Sequence, residues 1–150
     1  MIYINYKLED IGWATGTIGN GEKGVSFPIS YLNDSLKELA ESAIDIVSSE
    51  QKSVLFMGEP VDWKLTINNI DNKEITYELK KFDDGVSKDN YTTVLAGNTG
   101  IVDYVTQIKN ILSAILHEFG IEKYKEKWIQ DEFPLAEYEK LKDVAEKNKD

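Results

Sequence analysis

The stretch GNGEKG, residues 19–24, has the spacing G-x-G-x-x-G, and two readings of it lead to two different folds. As a dinucleotide fingerprint it would follow a strand and open a helix, because the phosphates rest on the N-terminus of that helix. The chain would then be built of βαβ units around a parallel sheet. As a tight turn it would join two antiparallel strands. The flanking residues decide between them. WATGTI (13–18) reads as a strand, and VSFPIS (25–30) alternates Val25, Phe27 and Ile29, the period of a second strand and not of a helix. Kinase glycine loops do lie between strands, but they come with V-A-I-K, H-R-D and D-F-G segments, and none of these occurs. Asn20-Gly21 is a strong hairpin signal, since a type I′ turn needs positive φ at both central residues. The stretch predicts a hairpin and no phosphate site.

Working outward, IYINYKL (2–8) alternates Ile2, Ile4, Tyr6 and Leu8 against polar positions, which adds a first strand and makes a three-stranded meander. From Leu32 to Val47 the period becomes helical: Leu32, Leu36, Leu39, Ala43 and Ile46 or Val47 share a face, with Ser30 or Asn33 able to cap the start. SVLFM (53–57), VDWKLTI (61–67), EITYELKKF (74–82) and YTTVLA (91–96) read as further strands. Gly97–Gly100 precedes a long amphipathic helix over 101–119, whose stripe is Ile101, Val105, Ile108, Leu112, Ile115 and Phe119. Gly120 suits the position just past its end. A shorter helix carries Ile121, Tyr124 and Trp128, and a last one begins near Pro134 with Leu135, Tyr138 and Leu141 on one face. Strands in succession followed by helices predict an α+β fold. The expected form is one antiparallel sheet of six to seven strands, with the helices of 32–47 and 101–119 packed mainly on one face. The C-terminal helices complete the core, and residues 1–150 form a single domain.

The composition narrows the chemistry. There is no cysteine, so disulfides, thiolate catalysis and cysteine-ligated metal centres are excluded. All 17 basic residues are lysine, and the formal net charge is −10. An acidic chain without the arginine fork is poorly suited to nucleic acid or to an anionic membrane. No apolar run reaches the length needed to cross a bilayer, and MIYINYKLED lacks the features of a signal peptide, so a cytoplasmic location is expected.

No residue set converges on catalysis. His117 is the single histidine, and position 121, where H-E-x-x-H would need the second, is isoleucine. Asp83-Asp84-Gly85 starts like a calcium loop, but the twelfth residue counted from Asp83 is Val94 and not glutamate. No cofactor, metal or catalytic residue is therefore assigned. The acids that stand out are Asp83, Asp84 and Asp89 in the loop DDGVSKDN (83–90), with Glu59 and Asp62 near Pro60. If the strands starting at Val61 and ending at Phe82 run antiparallel, both acidic segments meet at one end of the sheet.

Three segments, GWATGTI (12–18), SYLNDSLKEL (30–39) and GEPVDWKLTI (58–67), together with Trp128 and Phe133-Pro134, resemble a group of small, uncharacterised bacterial proteins compared with the immunity proteins of polymorphic toxin systems. The resemblance brings no catalytic residue with it. Together with the charge it implies a non-enzymatic acidic protein-binding module, an immunity-type or regulatory partner of a basic protein such as a toxin. The alternative is a small-ligand-binding protein or enzyme with an acidic cleft lined by Trp13 and Trp63.

Overall fold

The structure, a computed structural model, describes residues 1–149. The first three strands are β1 (Tyr3–Leu8), β2 (Trp13–Gly19) and β3 (Gly24–Ser30), paired antiparallel in the order β1-β2-β3. Ile4 faces Ile18 and Ala14 faces Ile29, so the alternating apolar residues share one buried side. The hairpin is present, but its turn is centred one residue later than expected. Only Gly21 has positive φ, at 91°. Asn20 instead uses its side-chain oxygen to accept the N–H groups of Glu22 and Lys23, both at 3.0 Å. Asn20 therefore stands before the turn as its capping residue, and glycine takes the position that needs left-handed backbone.

The remaining strands, β4 (Gln51–Met57), β5 (Asp62–Asn69), β6 (Glu74–Phe82) and β7 (Thr92–Gly100), form a second antiparallel sheet in sequence order. The seven strands thus divide into sheets of three and four, where the sequence led to one sheet. The reason lies at the edges of β3 and β4. β3 carries Pro28, which has no N–H to donate. On β4 the Leu55 N–H donates to Glu38 Oε1 at 2.9 Å, and its carbonyl accepts from Asn33 Nδ2 and Ser35 Oγ, both at 2.7 Å. Helix α1 (Ser35–Asp45) has thus taken the place of a neighbouring strand. Aromatic packing joins the sheets instead: Phe27 of β3 stacks on Trp63 of β5 at 4.7 Å and meets the edge of Phe56 of β4 at 5.3 Å.

Asp34 caps α1 by accepting the Lys37 N–H at 3.4 Å, in place of the Ser30 or Asn33 suggested by the pattern. β7 continues to Gly100, four residues further than its apolar pattern, and passes without a loop into α2 (Ile101–Trp128). At this junction Ile101 N–H donates to the Lys73 carbonyl at 2.8 Å. Gly120, with φ of 73°, breaks α2 into the stretches 101–119 and 121–128, at the position where glycine was expected to end the first. Helix α3 (Leu135–Lys147) follows and lies against α1 and α2. Helix α1 packs on β4, and α2 reaches β1 of one sheet and β7 of the other. Inside, the Tyr104 and Ser42 hydroxyls meet at 2.7 Å, tying α2 to α1 with both side chains fully buried.

Two outcomes test this architecture. Nothing lies within 4 Å of a side chain built at Gly21, so Gly21→Val should act through the backbone alone. Denaturant unfolding should show a loss of about 1–2 kcal/mol, with a smaller loss for Gly21→Asn, and ATP or NAD should leave Tm unchanged. Ile108 and Leu112 are both fully buried. Truncating either to alanine should cost about 2–5 kcal/mol by the same measurement.

Candidate functional site

The acidic segments singled out in the sequence converge, but not all in the same capacity. Asp62 begins β5 and pairs in register with Phe82, the last residue of β6, so the segments around residues 59–62 and 83–90 share one end of the second sheet. Asp83, Asp84, Asp89 and Glu59 are exposed there. Asp62 is buried, at 5% exposure, and its Oδ2 accepts the Val86 N–H at 2.9 Å. That bond holds the first residue of a short 3-10 turn, Val86–Lys88, inside the acidic loop. A side chain built on Gly85, whose φ is 87°, would meet the same carboxylate oxygen at 3.5 Å. Asp62 is therefore a scaffold for the loop and has no surface of its own to offer. Asp83 lies 3.5 Å from Lys81 Nζ, which partly offsets its charge. Asp89 closes the turn in the left-handed region, at φ 51°.

A second grouping was not visible in the sequence. Tyr6 of β1, Tyr124 and Trp128 of α2, and Phe133 ahead of α3 form a buried aromatic chain. Tyr6 and Trp128 have ring centroids 6.2 Å apart, Tyr124 and Trp128 6.5 Å, and Tyr124 meets Phe133 edge-on at 5.5 Å. The Tyr6 hydroxyl, the Tyr124 hydroxyl and Trp128 Nε1 are buried without a hydrogen-bond partner, three of the four such atoms among the described residues. Orphaned donors of this kind are costly and uncommon in protein interiors. Burial raises the pKa of both phenols, and Asp34 and Asp131 raise them further. Asp34, half-buried at the start of α1, is itself pushed up to about 6, first by desolvation and then by the charge of Asp131. A pattern reading places Tyr6, Tyr124 and Trp128 on apolar stripes, and nothing in the spacing reveals that their polar atoms are left over.

The aromatic residues of the alternative cleft are placed differently. Trp63 is 8% exposed and one face of its ring is covered by Phe27, so it belongs to the joint between the sheets. Trp13 is half-buried on β2. His117 is exposed on α2.

No protein-family model matches the chain, and no curated protein matches it. Among solved structures it is similar to a chain of the CdiA-CT/CdiI toxin and immunity complex from Enterobacter cloacae. That chain is 7% identical, with a TM-score of 0.47, and the likeness covers 75% of this chain and 99% of that one. A likeness so loose carries no functional argument. No helix among the described residues is long and apolar enough to cross a membrane.

The scaffold role of Asp62 has a direct test. Asp62→Ala leaves the Val86 N–H without its acceptor and should cost roughly 1–3 kcal/mol in denaturant unfolding. Limited proteolysis with trypsin should cut after Lys88 faster than in the parent protein, whereas Asp62→Asn, which keeps an acceptor oxygen, should fall between the two.

Proposed function

We propose that this chain is a non-enzymatic protein-binding module that presents an acidic surface to a basic protein, in the manner of an immunity-type or regulatory partner of a toxin. The observation that carries the proposal is the use of a buried carboxylate, Asp62, to hold the backbone of an exposed acidic loop. Side-chain acceptors hold the plain β2–β3 and β5–β6 turns as well; what sets this one apart is that the acceptor is buried and the loop it holds carries three exposed carboxylates. Here the anchor holds the backbone at Val86, between Asp83-Asp84 and Asp89, and Glu59 adds its charge at the same end of the sheet. Preorganised charge is what fast and selective association with an oppositely charged surface requires. The net charge of −10 acts in the same sense at long range.

The test replaces Asp83, Asp84 and Asp89 with asparagine together. Binding of the triple variant to the protein recovered with the parent chain from its source cell is then followed by surface plasmon resonance over a range of salt. Association should slow roughly three- to tenfold and its salt dependence should flatten, with the dissociation rate and Tm nearly unchanged. An association rate indifferent to the three changes excludes this loop as the docking surface, and recovery of no protein partner removes the proposal as a whole.

A further inference from the structure

The two sheets have four outer rims, β1, β3, β4 and β7, and three of them are closed. On β1 the Gln107 amide bonds the Ile4 N–H and the Ile2 carbonyl. On β4 the Leu55 backbone is taken by Glu38, Asn33 and Ser35. On β3 Pro28 has no N–H to offer, and its carbonyl lies against Gly58, where an added Cβ would come within 3.0 Å of it. The fourth rim is β7, which has β6 as its one neighbour in the sheet.

The register shows which backbone groups of β7 face outward. Ile101 N–H donates to the Lys73 carbonyl, and Gly100 stands opposite Glu74. Ladder bonds alternate along an antiparallel pair, so Thr99, Gly97 and Leu95 bond to β6, while the N–H and C=O of Ala96 and Asn98 point away from it. The Asn98 carbonyl bears this out by accepting the Met1 amino group at 2.7 Å. The Ala96 N–H, the Ala96 carbonyl and the Asn98 N–H have no partner among the described residues. Ala96 and Asn98 are exposed, as are Thr92 and Thr93. The usual devices that protect an edge are missing from the strand itself: TTVLAGNTG (92–100) has no charged residue and no proline. Its one irregularity, the register shift between Leu79 and Lys80, leaves Leu95–Gly100 regularly paired.

The surroundings define the occupant. Asp89 lies three residues before Thr92, so the acidic loop and the rim form one continuous surface. Asp83, Asp84 and Asp89 are exposed at that end. The cations that pair in register with Thr93 and Thr92, Lys80 and Lys81, are already held, Lys80 by Glu78 at 3.7 Å and Lys81 by Asp83 at 3.5 Å. A second copy of the chain would bring its own net charge of −10 and a second set of these aspartates to the rim, which like-charge repulsion opposes.

We propose that β7 accepts an extended segment of the basic partner protein as an added strand, its backbone bonded to Ala96 and Asn98 and its lysine or arginine side chains set against Asp84 and Asp89. Main-chain bonds then supply affinity, and the acidic loop selects for positive charge. The proposal rests on the reading of the chain as a binder of a basic protein, and it states how that partner is held.

The experiment uses the whole chain, isotopically labelled for NMR, and three peptide probes. The first is Ac-Lys-Lys-Thr-Val-Thr-Val-Thr-NH2. The second carries glutamate in place of lysine. The third is the first with every Thr and Val N-methylated, so that neither of its edges can donate. The basic peptide should give saturable shifts centred on Ala96 and Asn98 and reaching 83–90, with slowed solvent exchange at both amides. N-methylation should weaken it about tenfold or more, through lost main-chain bonds. The glutamate peptide should give no saturable shifts. Joint replacement Asp83→Asn, Asp84→Asn and Asp89→Asn should weaken the basic peptide roughly three- to tenfold, with the Ala96 and Asn98 shifts still reached at saturation. Ala96→Pro removes an outward donor and leaves the β6 ladder intact, so it should weaken the peptide about tenfold with little change in Tm. If that variant does not fold, the N-methylated peptide tests the same bonds from the other side. Shifts confined to 83–90, or an N-methylated peptide that binds as well as its parent, would overturn strand addition while leaving the acidic docking surface in place. Shifts at Ala96 and Asn98 that grow with protein concentration in the absence of peptide would assign the rim to a second copy and overturn the basic occupant. No saturable shifts with the basic peptide would overturn the proposal outright.

Discussion

The side-chain amide of Gln107 stands where another strand would otherwise be. Its Oε1 accepts the Ile4 N–H at 2.9 Å and its Nε2 donates to the Ile2 carbonyl at 2.6 Å, so one residue of α2 reproduces a rung of ladder on the outer edge of β1. An open strand edge is a template for unwanted pairing, and a two-bond cap from a helix suppresses it. The same contact fixes how far along β1 the helix lies. In that register Ile108 and Leu112 are buried and Tyr104 meets Ser42. There too Gly120 turns the chain back toward Tyr6. α1 does the corresponding work on β4 through Asn33, Ser35 and Glu38. Each of the two small sheets thus has one rim, β1 or β4, closed by polar side chains from α2 or from the start of α1.

This construction separates the parts of the chain that secure the fold from those that leave energy unspent. Around the sheets most buried polar groups are matched, Ser42 with Tyr104, Asp62 with Val86 and Tyr77 with the Met1 carbonyl, Thr99 Oγ1 on β7 being an exception. Beside the aromatic chain they are not, and there the backbone also takes up a strained turn at Ile129. Such unmatched places persist only when the surrounding structure enforces them, and they cluster where a protein meets something else. The exposed acidic loop at the end of β6 is of the opposite kind, well anchored at its base and free at its tip.

Much of the architecture was legible from periodicity. The alternation in residues 2–30 gave the meander, and the four-three spacing from Ile101 to Phe119 gave the long helix with its glycine break. Alternation reports which face of a strand is buried, but not which strand lies next to it, and so the division into two sheets was out of reach. The edge caps escape for a related reason: Gln107 and Ile4 are 103 residues apart, and no local pattern links them. Asp62 alternates with Val61 and Trp63 and so reads as a solvent-facing acid. It is buried because the 83–90 loop folds back over it, a long-range event. Tyr6, Tyr124 and Trp128 read as core, which they are; that their polar atoms lack partners is a fact of three-dimensional packing alone.

The three tryptophans occupy three structurally distinct places. Trp63 is clamped against Phe27 where the sheets join, Trp128 is sealed among the aromatic side chains of the helical end, and Trp13 remains half-open on the meander. Indole emission depends on local polarity, so the native spectrum is a composite with each junction contributing its own colour. Parting of the sheets would redden one component, and release of the C-terminal helices would redden another. With single tryptophans retained in turn, the chain becomes its own optical gauge of whether these two junctions open together or in succession.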